Sequence, residues 1–345
     1  MIDFYFTDVF KEGVWAQLDS VKDPQLKYLA SDLPALALQS RQSGTVRNYK
    51  FGWEKWRAWA AHYDEVNVIP ADPLYVALYL LDEFKRSRTA APVRLAYYSI
   101  SWAHKLSGLA DPTNSMLPKL VKEAAPRVLT HFSNKKEPVT LQMLAKVVKK
   151  YGHLSANLMD LRLASMCLVS FAGFLRYQEL ANLRYCDVVF CSGYLKLFLE
   201  RSKTDVYRDG VWVFISQVDS ARCPVAMLKR YLLKAGFDGY SEAYIYRGIT
   251  RHKNVSKRRL KDKNVPLCYS TARSLMLAAL TGLGYDASLF GTHSLRAGGA
   301  TAAANNSIPD RLFRKHGRWR SDRSKDRYVH EDVRQKLRVS QGLGL

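Results

Sequence analysis

The polar, charged stretch THFSNKKEPVT at positions 130–140 most constrains what this chain can fold into. It carries Pro138 near its end and separates helical patterns on either side, so it reads as a linker rather than as part of a core. A chain of 345 residues with 48% hydrophobic content then divides into two domains, each able to bury a core of its own. The division expected is a lead-in segment at 1–40, a helical domain at 41–129, the linker at 130–140 and a second domain at 141–345.

Within 41–129, the run SGTVRNYKFGWEKWRAWAAHY starts with a Ser/Thr helix-start signal and places Tyr49, Trp53, Trp56 and Trp59 at four- and three-residue steps. That spacing predicts an aromatic stripe on one helix face. Further helices are expected near 73–87, 92–108 and 114–125, separated by breaks containing Pro or Gly. Residues 1–40 show no clear period.

Beyond the linker, 141–151 and 156–174 read as helices, the second apolar on most faces and so a buried central helix. The period then changes: 194–199 and 211–215 are apolar and aromatic at strand length, with RSKTDVYRDG supplying the turn of a β-hairpin. Helical patterns return near 223–235, 270–283, 293–305, 308–315 and 330–339. The fold class expected is mainly α with a small β-sheet: an all-helical N-terminal domain plus an α+β second domain.

Lys and Arg number 53 against 31 Asp and Glu, a formal net charge of +22, which points to a polyanionic partner. The excess is local: residues 1–139 carry 18 basic and 15 acidic side chains, residues 140–345 carry 35 and 16. Five cysteines with no CxxC spacing indicate neither a disulfide framework nor a zinc module, and are expected in a reducing compartment. The start of the chain lacks the basic and apolar runs of a signal peptide, and the longest apolar stretch, 163–175, is shorter than the roughly 20 residues a membrane span needs. No membrane partner is expected.

Three segments carry the residues with chemical potential. HSLRAGGATAAA sets His293 and Arg296 three apart, so that on a helix both leave one face toward a shared pocket; alone, such a pair is also ordinary surface decoration. FAGFLRYQELANLR puts Arg176 and Glu179 directly after the apolar helix, where an arginine is costly to bury without an anionic partner. Trp319 and Tyr328 lie in HGRWRSDRSKDRYVHED, where Tyr328 by itself reads equally as a half-buried core residue. His252, His316 and His330 lack the close spacing of metal-ligand sets.

Taken in order, these segments resemble the tyrosine recombinase (phage integrase) family, whose motifs are an Arg with a Glu three residues on, a hairpin Lys, His-x-x-Arg, a His or Trp, and a Tyr. Arg176 with Glu179, Lys203, His293, Arg296, Trp319 and Tyr328 fall on those positions, and Trp319 precedes Tyr328 by the family's nine residues. The resemblance covers the second domain well and the first only by helical pattern and position, where it implies a core-binding domain that clamps duplex DNA. It implies a site-specific recombinase that attacks a backbone phosphate with Tyr328, leaves a 3′-phosphotyrosyl link and a free 5′-hydroxyl, and passes through a Holliday junction as a tetramer. No metal or other cofactor is implied.

The residue types suit that chemistry. Attack on a phosphodiester builds charge on the non-bridging oxygens, which Arg176 and Arg296 can grip with forked donors. His293, with an ordinary pKa of about 6.5, can bond the phosphate or accept the tyrosyl proton. Tyrosine, at about 10, needs neighbouring cations to favour the phenolate. By resemblance Lys203 is the general acid for the departing 5′-oxygen, on a hairpin whose movement would switch activity. Trp319 would donate its indole N–H to the phosphate, and Glu179 would orient the arginines.

Expected DNA contacts in the first domain are Arg41, Arg47, Lys50, Arg86, Arg88, Arg94 and Lys105, each of which also reads as a solvated surface charge. In the second they are Arg201, then Arg251, Lys257, Arg258 and Arg259 in a basic loop at 247–263, then Arg311, Arg314 and Lys315 ahead of Tyr328. The loop reads either as a DNA backbone contact or as a nuclear-import signal. The tail, through Arg334, Leu337 and Val339, either docks on a neighbouring protomer or packs on its own. Two other functions stay open on sequence: a type IB topoisomerase or telomere resolvase with the same chemistry, and a DNA-binding protein that has lost catalysis.

Overall fold

The computed structural model describes residue 6 and residues 8–129, 135–200, 210–330 and 333–344. The chain divides into two compact units, Met1–Ser133 and Asn134–Leu345.

Among the described residues, the first unit holds five α-helices: α1 (Pro24–Gln39), α2 (Ser43–Ala60), α3 (Pro73–Arg86), α4 (Ala91–Leu106) and α5 (Met116–Val128). The aromatic stripe on α2 organises its core. Trp53 and Trp56 are fully buried, with Tyr49 and Trp59 packed at the margin. Truncating either buried tryptophan to alanine would cost about 3–5 kcal/mol. The α2 and α4 backbones approach closely at Gly52, where a Cβ would sit 2.2 Å from Ser99 Oγ.

Residues 1–40 are more than a lead-in. Asp23 caps α1 by accepting from the N–H groups of Gln25 and Leu26, followed by Pro24 at the first helical position. Phe6 and Val9 are buried in the α2–α4 core, with Phe6 edge-on to Trp102. Asp8 accepts from Trp53 Nε1 and pairs with Arg57. The 3-10 turns at Val9–Lys11 and Gly13–Ser20 carry no α-helical period, and α1 buries only Ala30, so neither leaves an amphipathic pattern in the sequence.

The second unit runs α6 (Leu141–Tyr151), α7 (Leu158–Ala172), α8 (Tyr177–Ala181), β1 (Val188–Cys191), β2 (Tyr194–Leu199), β3 (Val211–Ser216), α9 (Pro224–Lys234), α10 (Tyr269–Thr281), α11 (His293–Asn305), α12 (Asp310–His316), α13 (Asp322–Asp326) and α14 (Val333–Gln341). The lower part of the 130–140 segment is tied to this unit: the N–H groups of Glu137 and Val139 donate to Leu289 O and Ser294 O, and Thr140 caps α6.

Helix α7 is the buried centre, packed against α6, α9, α10 and α11. The hairpin β2–β3 belongs to an antiparallel sheet of order β1-β2-β3; β1 was not foreseen. Register pairs Leu195 with Ile215 and Leu197 with Val213 on the core face, which fits the alternating pattern. The turn of this hairpin, with Arg201 and Lys203, lies outside the described residues.

Gly298 and Gly299 let α11 lie against α7 and the strand-like entry to α6. A Cβ there would meet Val139 O at 2.1 Å and Phe171 O at 2.2 Å. The five cysteines are free: Cys167 and Cys223 buried, Cys268 exposed, and Cys186 and Cys191 half-buried. Among the described residues, no helix is long and apolar enough to cross a membrane.

Candidate active site

The end of α7 sets the site. After Gly173 the chain turns through Phe174, whose φ of 47° is rare for a bulky side chain, and delivers Arg176 to the start of α8. One turn on, Glu179 points back. It accepts from the Arg176 main-chain N–H at 2.8 Å and from Arg176 Nη1 at 2.6 Å.

Glu179 is the hub of more than one pair. Its side chain is 2% exposed, and Oε2 also takes Arg318 Nη2 at 2.8 Å and lies 4.0 Å from Arg296 Nη1. Burial alone would oppose ionisation, yet Arg318, then Arg176 and Arg296, hold the carboxyl below the usual range. Three guanidiniums share one carboxylate. The site therefore carries excess buried positive charge, costly without an anion.

Helix α11 supplies His293 and Arg296. The pair was expected to share a pocket; the two side chains differ sharply in environment. His293 is exposed, whereas Arg296 is fully buried and donates to Phe174 O and Gly317 O. Arg296 therefore does not offer the open fork expected of it, because two backbone carbonyls occupy its terminal nitrogens. Burial, then Arg176 and Arg318, lower its pKa.

Both residues still reach Tyr328. The His293 ring lies 6.1 Å from the Tyr328 ring, and Arg296 Cζ lies 5.1 Å from it. Trp319 completes the cage at 5.5 Å from Tyr328 and 4.5 Å from Arg296 Cζ. Trp319 and Tyr328 belong to a small apolar cluster with Phe174, Ala300 and Phe313.

Three buried N–H groups in and beside this cage have no acceptor among the described residues: Arg296 Nε, Arg318 Nε and Trp319 Nε1. The contrast within the protein is direct, since Trp15, Trp53, Trp56 and Trp59 each donate their indole N–H to an oxygen. Unpaired buried donors beside surplus cations are what an anionic ligand would satisfy.

The sequence reading missed Arg318 and Thr301. Thr301 Oγ1 donates to Tyr328 O at 3.3 Å and accepts from His330 N–H at 3.0 Å, which pins the tyrosine backbone to α11. His316 Nε2 bonds Ala172 O at 2.7 Å. Lys203 lies outside the described residues.

The expected DNA contacts are spread over both units. Arg41, Arg47, Arg88 and Arg94 are exposed. Lys50 pairs with Glu54, Arg86 with Asp82 and Glu83, and Lys105 with Asp111. Arg251, Lys257 and Arg259 are exposed in the 247–263 loop, while half-buried Arg258 donates to His252 O. On α12, Arg311 and Lys315 are exposed and Arg314 pairs with Asp322. In the tail Leu337 is exposed; the side chains of Arg334 and Val339 lie outside those described.

A mainly helical fold with a three-stranded sheet, gathering arginines around one carboxylate beside a caged tyrosine, defines a tyrosine recombinase. The profile of the phage integrase family matches residues 139–335, more than half of the chain, and the chain belongs to that family. It is 27% identical over 297 residues to an "Integrase/recombinase xerD homolog" of Selenomonas ruminantium, covering 85% of this chain and 83% of that one. In fold it is similar to XerH recombinase bound to difH substrate in a pre-cleavage complex (TM-score 0.58, 15% identity, 99% of this chain and 95% of the other). It is likewise similar to a lambda integrase dimer bound to a core site (TM-score 0.55, 17% identity, 97% and 83%).

Proposed function

We propose that this member of the phage integrase family is a DNA strand transferase and site-specific recombinase in which Tyr328 is the nucleophile. The observation that carries the reading is the cage around Tyr328: surplus buried guanidinium charge and the unpartnered donors Arg296 Nε and Trp319 Nε1 meet at one tyrosine. A scissile phosphate supplies the missing acceptors.

In this scheme Arg176 and Arg296 stabilise the charge that develops on the phosphate, Trp319 adds a neutral donor, and Glu179 orients the arginines. His293, exposed at the edge of the cage, takes the tyrosyl proton or bonds the phosphate. Attack joins Tyr328 Oη to phosphorus and releases the 5′-oxygen, which Lys203 protonates. The partner is double-stranded DNA, held by the second unit as catalytic domain and by helices of the first as a core-binding clamp. Four protomers exchange strands through a Holliday junction, and the protein works where DNA lies, in a nucleoid or a nucleus. The integrase and Xer relatives supply no support for a topoisomerase or resolvase reading.

The test is covalent capture. Purified protein is incubated with a library of nicked duplexes bearing randomised half-sites, and adducts that survive denaturing gels are sequenced. Wild type is expected to yield an adduct at the 3′ side of the break and Tyr328→Phe none, with retained binding in gel shifts. An unchanged adduct with Tyr328→Phe would sink the mechanism.

A further inference from the structure

The geometry points to Arg318 as a positioning residue for strand cleavage, acting through Glu179 and the Phe174 carbonyl on Arg176 and Arg296. This rests on the strand-transfer reading above. No motif of the sequence marked it.

Arg318 sits where only a defined purpose keeps an arginine. Its side chain is 6% exposed, and its backbone is held at a φ of 57°, in the left-handed region. Conformations of this kind are costly for a side-chain-bearing residue and persist where surrounding contacts impose them. Here the contacts are visible: Nη1 donates to His316 O at 2.7 Å and Gly173 O at 3.2 Å, and Nη2 to Phe174 O at 2.9 Å and Glu179 Oε2 at 2.8 Å.

Those acceptors belong to the two segments that build the cage. Gly173 and Phe174 lead into Arg176, while His316 leads into Trp319. One guanidinium thus staples the turn after α7 to the turn after α12. Phe174 O is shared with Arg296, and Glu179 with Arg176. Arg296 lies against the Tyr328 and Trp319 rings, whereas the bonds of Arg318 run to Glu179 and to backbone carbonyls, which suits it to holding the other arginines. A lysine keeps the charge but cannot reach four acceptors from a fixed planar fork.

The test compares wild type, Arg318→Lys and Glu179→Gln in single-turnover cleavage of two duplexes of the captured site. One has the natural phosphodiester; the other has a methylphosphonate at the scissile position, where a methyl group replaces a charged oxygen. Misplaced arginines should matter on the first and little on the second. The expected result is a loss of about 100-fold for Arg318→Lys on phosphodiester at unchanged DNA affinity, consistent with ångström-scale misplacement. On methylphosphonate the deficit should shrink to below about tenfold, as there is little charge left to stabilise. Glu179→Gln removes the other end of the clamp and should follow the same pattern, the double variant losing little more than either single one. It also reports on the clamp should Arg318→Lys fold poorly in thermal melts. Full activity of Arg318→Lys, or equal losses on both duplexes for the folded variants, overturns the assignment. A wild-type protein that forms no adduct overturns the strand-transfer reading itself.

Discussion

Arg296 and Tyr328 are stacked with 5.1 Å between the guanidinium carbon and the ring centre, although 31 positions of chain, including two whole helices, lie between them. The contact places a fully buried cation against the proposed nucleophile. Replacing Arg296 by lysine should lower cleavage by about 10²–10³-fold, the scale of losing one preorganised donor to a transition-state oxygen. A single ammonium nitrogen cannot reproduce the planar fork whose two terminal nitrogens reach Phe174 O and Gly317 O while Nε points elsewhere. Single-turnover adduct formation measures the effect, and a rate within threefold of wild type, on the order of 0.6 kcal/mol, would contradict it.

Trp319→Phe isolates the indole donor. Phenylalanine keeps an aromatic ring beside Tyr328 and Phe174 but has no N–H. A hydrogen bond to a charged group is worth about 1.5–3 kcal/mol, so cleavage should slow by roughly 10–100-fold. Trp319→His restores a donor and should recover part of the loss. If the phenylalanine variant cleaves like wild type, the unpaired Nε1–H has no role in the reaction.

The three arginines around Glu179 should make the site a sink for small anions. Inorganic phosphate at ten times its Kd would add about 1.4 kcal/mol to stability. Thermal melts in phosphate against chloride at matched ionic strength test this. General salt effects raise stability too, so the increment must disappear in Arg296→Lys. An identical shift in both proteins would place the anion elsewhere.

Acid sensitivity follows from buried imidazoles. His104 is fully buried, with Nδ1–H bonded to Ile100 O at 2.9 Å and Nε2 accepting from Ala71 N–H at 3.0 Å. Burial lowers its pKa despite the Ile100 bond and Asp111, and burial likewise lowers that of His316. Below the unfolded value of about 6.5, the unfolded chain takes up protons that the folded chain refuses. Stability should fall as pH drops through 6.5 and keep falling toward the lower folded values. Urea midpoints at pH 7.5 and 5.5 should show the decline, above the range where carboxylates such as Glu179 begin to protonate. A flat profile over that interval would refute it.

Much of this protein could be read from residue types in order. The Trp53 and Trp56 stripe, the buried α7 and the β2–β3 hairpin each follow from local periodicity, because a helix or strand buries the face that its own sequence makes apolar. Arg176, Glu179, His293, Arg296, Trp319 and Tyr328 were picked out by the resemblance of their order and spacing to the tyrosine recombinase motifs, and their side-chain chemistry suits the proposed reaction.

What only the tertiary structure decided is how those groups are held. Arg318 is one of eight basic residues in 311–327, and its composition is no different from that of exposed Arg311 or Arg320. Its place is set by carbonyls of Gly173, Phe174 and His316, and a main-chain oxygen leaves no mark in the residue sequence. The same holds for Thr301, which fixes Tyr328 through the backbone, and for the sharing of one carboxylate by three arginines. Side-chain chemistry is local and can be read along the chain; which donors meet which backbone acceptors is a property of the packed core alone.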